Sequence, residues 1–321
     1  MQECMTVGIS FTNDKEAIAI TDSRVSSGIR QSDAVDKMTT FTRPGYHGVL
    51  FGTGLATLLE GVRKHIPGCL EDTFDKFVVS LQTPYQAIVN TFERTRLAGE
   101  KEKVLAKASL IDNPEHKERF INDQLGELMR KFDKDREESY TCFITTAYDR
   151  SQGRTRHWYF SDVDRAQMEV PHIEIGSGRD AANLYFTTKL QGIEPRTLTR
   201  DQLAFFAMNA YSMSTVNQGV GGVPKIALID KDECRIIDAR NAIAMANLSG
   251  AYLAETLRDG VDRPTVERYM GRLLSPNYTP DDLLANILNV NEETLTTTYI
   301  PYSSWQVKKN RKHYGEQKEL V

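Results

Sequence analysis

The chain has 321 residues, of which 40% are hydrophobic and 26% are charged, and its formal net charge is -4. This composition is ordinary for a globular protein, and the length suits one elaborated domain or one domain with an extension. The small negative charge gives no electrostatic case for nucleic acid or an anionic membrane as the main partner. No run approaches the ~18 apolar residues of a spanning helix, and no basic-then-apolar leader begins the chain, so we expect a cytoplasmic protein.

The first two strand-like stretches predict a β-hairpin. Residues 6–11 and 16–21 are rich in alternating and β-branched residues, and turn formers lie between them. A turn centred on Asp14 would place Thr6 opposite Asp22, on one face of the ladder and roughly 5 Å away. Residues 34–41 predict a third strand, which would bring the ammonium of Lys37 beside that pair.

The middle of the chain alternates between strand and helix patterns. Residues 49–54 predict a buried strand, and the helix that follows ends at Pro67-Gly68. A helical insertion of about residues 84–138 begins near Pro84 and carries an amphipathic face. Residues 141–147 and 155–160 predict a hairpin of a second sheet.

The stretch Gly176-Ser177-Gly178 follows a strand and precedes a helix that runs to about residue 190. On its own this pattern also fits a dinucleotide-binding fingerprint, but that fingerprint needs an acidic residue closing a second strand, and Glu194 lies in a loop. Residues 199–213 predict the next helix, and a glycine-containing loop then leads into the strand at residues 224–229.

The C-terminal part predicts further helices and a basic end. We divide the chain into residues 1–240 and a helical extension with a basic tail, residues 241–321, in which Thr279 is expected to cap a helix. Residues 308–313 are interpreted as a solvated tail. Neither the four cysteines nor the six histidines have metal-ligand spacing, so we expect no metal and no cofactor, and Cys4 is a poor candidate nucleophile because three residues precede it.

Thr6 is a candidate nucleophile. A threonine hydroxyl needs a base to take its proton, and the α-amino group of a threonine that begins the chain can serve because it titrates near neutrality. Residues 1–5 precede Thr6 here. Translation that starts at Met5, followed by removal of the methionine, would expose Thr6, and so would autolytic cleavage of the Met5-Thr6 bond. If neither happens, the site is blocked.

Seven short motifs in order carry a family resemblance across residues 6 to about 230. They are Thr6-Val7-Gly8, Asp22-Ser23-Arg24, Ser27-Gly28, Asp36-Lys37, Gly52-Thr53-Gly54-Leu55-Ala56, Gly176-Ser177-Gly178, and Gly221-Gly222 before Pro224-Lys225-Ile226. With them the chain resembles the proteasome β-subunit-like N-terminal nucleophile (Ntn) hydrolases, including bacterial two-ring peptidase subunits and ancestral-type bacterial β homologues. The resemblance implies an α+β fold, a four-layer αββα sandwich of two antiparallel sheets.

The resemblance also implies a threonine-type peptidase. Thr6 is then the nucleophile, supported by Asp22 and Lys37, while the Gly54 amide helps to form the oxyanion hole and Ser177 helps proton transfer near the amine. Such enzymes form homo-oligomeric rings or stacks that act on peptide or protein substrates, and an unfoldase partner is conceivable for them.

Two further positions, Arg24 and Asn217, bear on whether the chain is an active peptidase. Arg24 fits either the site or a structural ion pair, and Asn217 is a possible supporting residue. The family's active members carry an aspartate and a serine where this chain has Asn217 and Val220; an asparagine has no negative charge and a valine relays no proton. An amidase or transpeptidase with a particular substrate and a catalytically inactive subunit therefore both stay open.

Overall fold

Two antiparallel five-stranded sheets form the centre of the structure, a computed structural model that describes residues 7–22, 25–27, 30–32, 37–54, 56–136, 141–161, 165–168, 170–216 and 222–307. The first sheet contains β1 (Val7–Thr12), β2 (Ala17–Asp22), β10 (His172–Gly176), β11 (Pro224–Ile229) and β12 (Cys234–Ile236). The second contains β5 (Met38–Arg43), β6 (Tyr46–Gly54), β7 (Thr141–Asp149), β8 (Arg154–Ser161) and β9 (Arg165–Met168). Their strand orders are β10-β1-β2-β11-β12 and β5-β6-β7-β8-β9, and β3 (Val25–Ser27) and β4 (Arg30–Ser32) pair separately.

Helices flank these sheets on both outer faces. They are α1 (Ala56–His65), α2 (Phe74–Ala108), α3 (Pro114–Arg136), α4 (Arg179–Lys189), α5 (Arg200–Ser214), α6 (Ala239–Leu253), α7 (Arg263–Leu273), α8 (Asp282–Leu288) and α9 (Glu292–Thr297). None of the helices in these ranges combines the length and the apolar character that a bilayer crossing requires.

Three apolar clusters show that the elements stack in four layers. One cluster joins the outer face of the first sheet to α4–α9, and a second joins the outer face of the second sheet to α1 and α2. The third lies between the sheets. The predicted α+β sandwich of two antiparallel sheets is therefore confirmed. The dinucleotide-binding alternative is excluded, because β10 pairs antiparallel with β1 and the strands of the described residues show no parallel pairing around the glycine turn.

Small residues on the inner face of the first sheet allow the two sheets to approach closely. Ala17, Ala19 and Ala227 pack there against larger side chains of the second sheet such as Phe51 and Ile144. Gly8 lies on the same face: a Cβ atom at this position would come within 2.9 Å of Ile175 Cγ1 and 3.1 Å of the Phe51 ring. Larger side chains from both sheets fill the rest of this layer.

The hairpin of β1 and β2 forms, but its predicted register is wrong by one residue. Gly8 lies opposite Thr21, and the turn has two residues, Asp14 and Lys15, so no single residue is its centre. The Asn13 side chain accepts hydrogen bonds from the amides of Lys15 (3.1 Å) and Glu16 (2.8 Å), and Asp14 adopts a positive φ of 72°. Two-residue hairpin turns favour such a conformation.

Helix α2 begins ten residues before the predicted start near Pro84. Thr73 caps it by accepting a hydrogen bond from the Lys76 amide, and Pro84 lies inside the helix. An interior proline costs a helix about 3 kcal/mol. Burial of five large side chains on one face of the first turns offsets that cost, since the face packs on the second sheet; these are Phe74, Phe77, Val78, Leu81 and Tyr85.

The C-terminal helices pack on the first sheet. Helix α6 is buried along nearly its whole length, and α7–α9 contribute to the same cluster as β1 and β2. The cap of α8 is Asp281, whose carboxylate accepts a hydrogen bond from the Leu284 amide at 2.9 Å, so the prediction of Thr279 as the cap is wrong. Aspartate is as good a cap as threonine, and its position after Pro280 lets the helix begin two residues later.

A polar group lies within the otherwise apolar layer between the sheets. Ser10 Oγ is 2.8 Å from Thr146 Oγ1 and 3.0 Å from His157 Nδ1. Burial, aided by the charge of His172, lowers the pKa of His157 to about 3, so this imidazole is neutral in the folded protein at ordinary pH.

Substitution of Gly48 tests the close contact between the neighbouring strands β6 and β7. A Cβ atom at Gly48 would overlap the carbonyl oxygen of Thr146 on β7. We expect Gly48→Ala to lower the free energy of unfolding by about 1–3 kcal/mol or more, measured by urea denaturation. Gly68→Ala is the matched control, because a Cβ at Gly68 meets nothing within 4 Å. Equal stabilities of the two variants would contradict the proposed contact.

The pKa of His157 predicts how stability depends on pH. Its folded-state value lies below its unfolded value of 6.5, so the unfolded chain binds the proton more readily. The contribution of neutral His157 to the free energy of unfolding is therefore complete above pH 6.5 and is lost as the pH falls toward 3. We expect His157→Gln to reduce the slope of unfolding free energy against pH, between pH 4 and 6, by about 1.4 kcal/mol per pH unit. His116→Gln, on the exposed face of α3, should leave that slope unchanged.

Candidate functional site

The candidate site lies where β1 begins and β2 ends, at one edge of the sandwich. Antiparallel pairing puts the start of β1 beside the ends of both β2 and β10, since Gly8 pairs with Thr21 and Val7 with Gly176. On the second sheet, Lys37 directly precedes β5, and its carbonyl accepts a hydrogen bond from the Gly52 amide at 3.4 Å. Chain ends and loops from both sheets thus meet at this edge.

A buried ion pair joins the two sheets here. Lys37 Nζ lies 2.7 Å from Asp22 Oδ1, and the two side chains are 4% and 0% exposed. The same carboxylate oxygen accepts a hydrogen bond from the Val7 amide at 3.2 Å. Charges taken out of water are tolerated only when they are paired and hydrogen-bonded, and this carboxylate satisfies both conditions. Two of the predicted site residues are therefore in direct contact.

Gly54 and Ser177 lie at the same edge by strand pairing. Gly54 ends β6, where it pairs with Thr141, and it is two residues beyond Gly52, the residue that binds the Lys37 carbonyl. Ser177 follows Gly176, which has a positive φ of 86° and pairs with Val7. Ser177 is exposed in the turn before α4.

Three predicted site residues lie outside the described residues. These are Thr6, Arg24 and Asn217. Val220, at the second position that departs from the family pattern, is also outside them, and so is Cys4. Val7, the first described residue, is therefore the part of the chain nearest to Thr6 for which contacts are known.

The sequence analysis missed a second lysine at this edge. Lys225 pairs with Thr21 in the β2–β11 ladder, and its Nζ donates a hydrogen bond to the Met38 carbonyl at 3.4 Å. Lys225 thus ties the first sheet to the start of β5, as Lys37 ties β5 to Asp22. A lysine within an apolar strand was the signal, because such a charge needs a partner.

Cys142 and Tyr159 form another polar contact near this edge. Cys142 pairs with Thr53, the residue before Gly54, and its Sγ lies 3.2 Å from the Tyr159 hydroxyl. Burial is the main cause of a raised pKa for Tyr159, so its hydroxyl stays protonated. This contact sits between the sheets and supplies no charged group to the site.

Asp22→Asn tests the buried pair. Removing the negative charge takes away the carboxylate that lies 2.7 Å from the buried Lys37 ammonium, so we expect the free energy of unfolding to fall by about 3–5 kcal/mol, measured by chemical denaturation. Asp72→Asn is the matched control: it breaks the exposed Asp72–Lys76 pair, whose side chains are 74% and 63% exposed, and should not change stability measurably. Similar results for the two variants would show that the buried pair adds nothing.

Comparisons with known proteins complete the description. No protein-family model matches the chain, and no curated protein matches it in sequence. Among solved structures, Anbu from Hyphomicrobium sp. strain MC1 is similar with a TM-score of 0.47 and 15% identity, over 80% of this chain and 100% of that chain. The Gly-1 mutant of that protein gives a TM-score of 0.45 and 13% identity over 78% and 96% of the two chains. Anbu (ancestral beta-subunit) from Yersinia bercovieri gives 0.45 and 13% over 80% and 99%. A likeness at this level assigns no activity and no residue role.

Proposed function

We propose that this protein is a threonine-type amide hydrolase that cleaves peptide bonds as part of a homo-oligomeric assembly, with a processed Thr6 as its nucleophile. The observation that carries the proposal is the buried Asp22–Lys37 pair beside the start of β1. A buried ammonium that a carboxylate holds at a strand terminus can lower the pKa of an α-amine next to it. The family resemblance of the motifs points to the same pair and to Thr6.

The proposed chemistry begins with proton transfer inside Thr6. Its free α-amine accepts the proton of its own hydroxyl, and the oxygen attacks the substrate carbonyl carbon. The Lys37 ammonium disfavours protonation of the nearby amine and so lowers its pKa, while Asp22 holds Lys37 in place. The amine then gives the proton to the leaving nitrogen as the carbon–nitrogen bond breaks, and water hydrolyses the resulting ester and frees Thr6.

Two neighbours complete the proposed site. The Gly54 amide would donate a hydrogen bond to the oxyanion, and one preorganised donor of this kind is worth roughly 2.7–4 kcal/mol in the transition state. Ser177 directly follows Gly176, whose partner in the β1–β10 ladder is Val7, the residue after Thr6. Ser177 would then be able to relay protons to and from the amine. Arg24 and Asn217 remain proposed supporting residues.

An inactive structural subunit is the second candidate. Asn217 and Val220 favour it, because the family's active members have a charged residue and a hydroxyl at these places. An amidase or transpeptidase with one particular substrate is the third, since it would use the same catalytic group.

The intact mass of the protein expressed from Met1 tests the proposal. We expect the wild type to lose residues 1–5 and Thr6→Ala to keep them, because cleavage of the Met5-Thr6 bond needs the hydroxyl. Thr6→Ser is the matched control, which keeps the hydroxyl and should also be processed. The processed wild type should cleave fluorogenic peptides, and a threonine-directed inhibitor should label Thr6.

The other outcomes separate the candidates. If both the wild type and Thr6→Ala keep the leader, the labelling is done on a protein whose translation starts at Met5 and from which that methionine has been removed. Failure of the inhibitor to label Thr6 in that protein would overturn the proposal and favour the inactive subunit. Labelling of Thr6 without cleavage of casein or peptides would favour the amidase or transpeptidase.

A further inference from the structure

Lys225 lies near the start of β11, and its side chain enters the layer between the two sheets. Side chains alternate along a strand, and Ala227, two residues further along β11, belongs to the apolar cluster of that layer. The Lys225 side chain is therefore on the inner face of the first sheet. It reaches the second sheet, where its Nζ donates a hydrogen bond to the carbonyl oxygen of Met38 at 3.4 Å.

Both ends of this connection lie next to the buried ion pair. In the β2–β11 ladder Lys225 pairs with Thr21, which is the residue before Asp22. Met38, at the other end, directly follows Lys37. Lys225 thus joins the backbone beside Asp22 to the backbone beside Lys37. The charged side chains of the pair make a parallel connection, since Lys37 Nζ and Asp22 Oδ1 are 2.7 Å apart.

The backbone that carries Lys37 is held from two sides. Its carbonyl oxygen accepts a hydrogen bond from the Gly52 amide of the second sheet, and the next carbonyl, that of Met38, accepts one from Lys225 of the first sheet. A buried ion pair offsets its cost of desolvation only when its geometry is excellent. Lys37 and Asp22 are both buried, so the strength of their contact depends on where the Lys37 backbone is held.

We propose that Lys225 is a positioning residue: it fixes the separation of the two sheets at this edge and so holds the Lys37 ammonium against Asp22. The catalytic part of this inference rests on the proposed function, in which the same ammonium acts on the Thr6 amine. A group displaced by about 1 Å can cost an enzyme roughly 100-fold in rate. Lys225 acts through Lys37 in this scheme.

Unfolding free energies of the full-length protein, measured by urea denaturation, test the positioning without any need for activity. Lys225→Met keeps most of the side-chain stem but removes the donor. We expect Asp22→Asn to destabilise Lys225→Met less than half as much as it destabilises the wild type, because the pair is already loosened. Lys231→Met, in the exposed turn after β11, is the matched control and should leave the effect of Asp22→Asn unchanged.

A third substitution separates positioning from direct attraction between Lys225 and Asp22. In a Lys37→Met background, Lys225→Met should no longer change the effect of Asp22→Asn, because there is no ammonium left to position. If Lys225→Met still halves that effect without Lys37, the two residues interact directly and the inference is overturned. Equal destabilisation by Asp22→Asn in the wild type and in Lys225→Met would overturn it as well.

Kinetics of the protein with a free Thr6 test the catalytic part. Lys225→Met should lower kcat for a fluorogenic peptide at least tenfold and change KM less than twofold, whereas Lys231→Met should match the wild type. Wild-type kcat in Lys225→Met would overturn the catalytic part. A wild type whose free Thr6 is not labelled by the inhibitor would overturn the proposed function, and the unfolding measurements would still decide whether Lys225 positions Lys37.

Discussion

The close packing of the two sheets is the constraint on which the rest of the structure depends. Alanines and Gly8 on the inner face of the first sheet leave room for Phe51 and Ile144 from the second, so the backbones approach closely. In the packed sheets Lys37, which precedes a strand of one sheet, lies 2.7 Å from Asp22, which ends a strand of the other. The ion pair therefore depends on the packing of an apolar layer several residues away.

Charged and neutral polar groups occupy different parts of this layer. Full charges occur at the edge, where Asp22 neutralises Lys37 and also accepts the Val7 amide. Deeper between the sheets the polar residues are neutral: Ser10, Thr146 and His157 bond to one another, and burial keeps the imidazole uncharged. The difference follows from the cost of desolvation, which is far larger for an ion than for a hydroxyl or a neutral ring.

In the outer helices, burial of apolar side chains outweighs local sequence signals such as a proline inside a helix. Helix α2 continues through Pro84 because its apolar face covers the second sheet, whereas its later turns and α3 carry exposed charged residues. Helix α5 is buried on nearly all sides because it lies between the first sheet and α6 and α7. The first half of α2 and the whole of α5 thus belong to the framework that holds the candidate site.

The sequence alone predicted most strands and helices, because strand patterns, glycine turns and helix periodicity are local signals, and the family resemblance of its motifs implied the α+β sandwich that they form. The expected strand of residues 34–41 also placed Lys37 beside Asp22, although the strand itself begins only at Met38. Only the tertiary structure decided the hairpin register, the start of α2 and the cap of α8, because these depend on turn geometry and on burial against distant elements. It also brought Lys225 to the site, since that contact joins residues that are far apart in the chain.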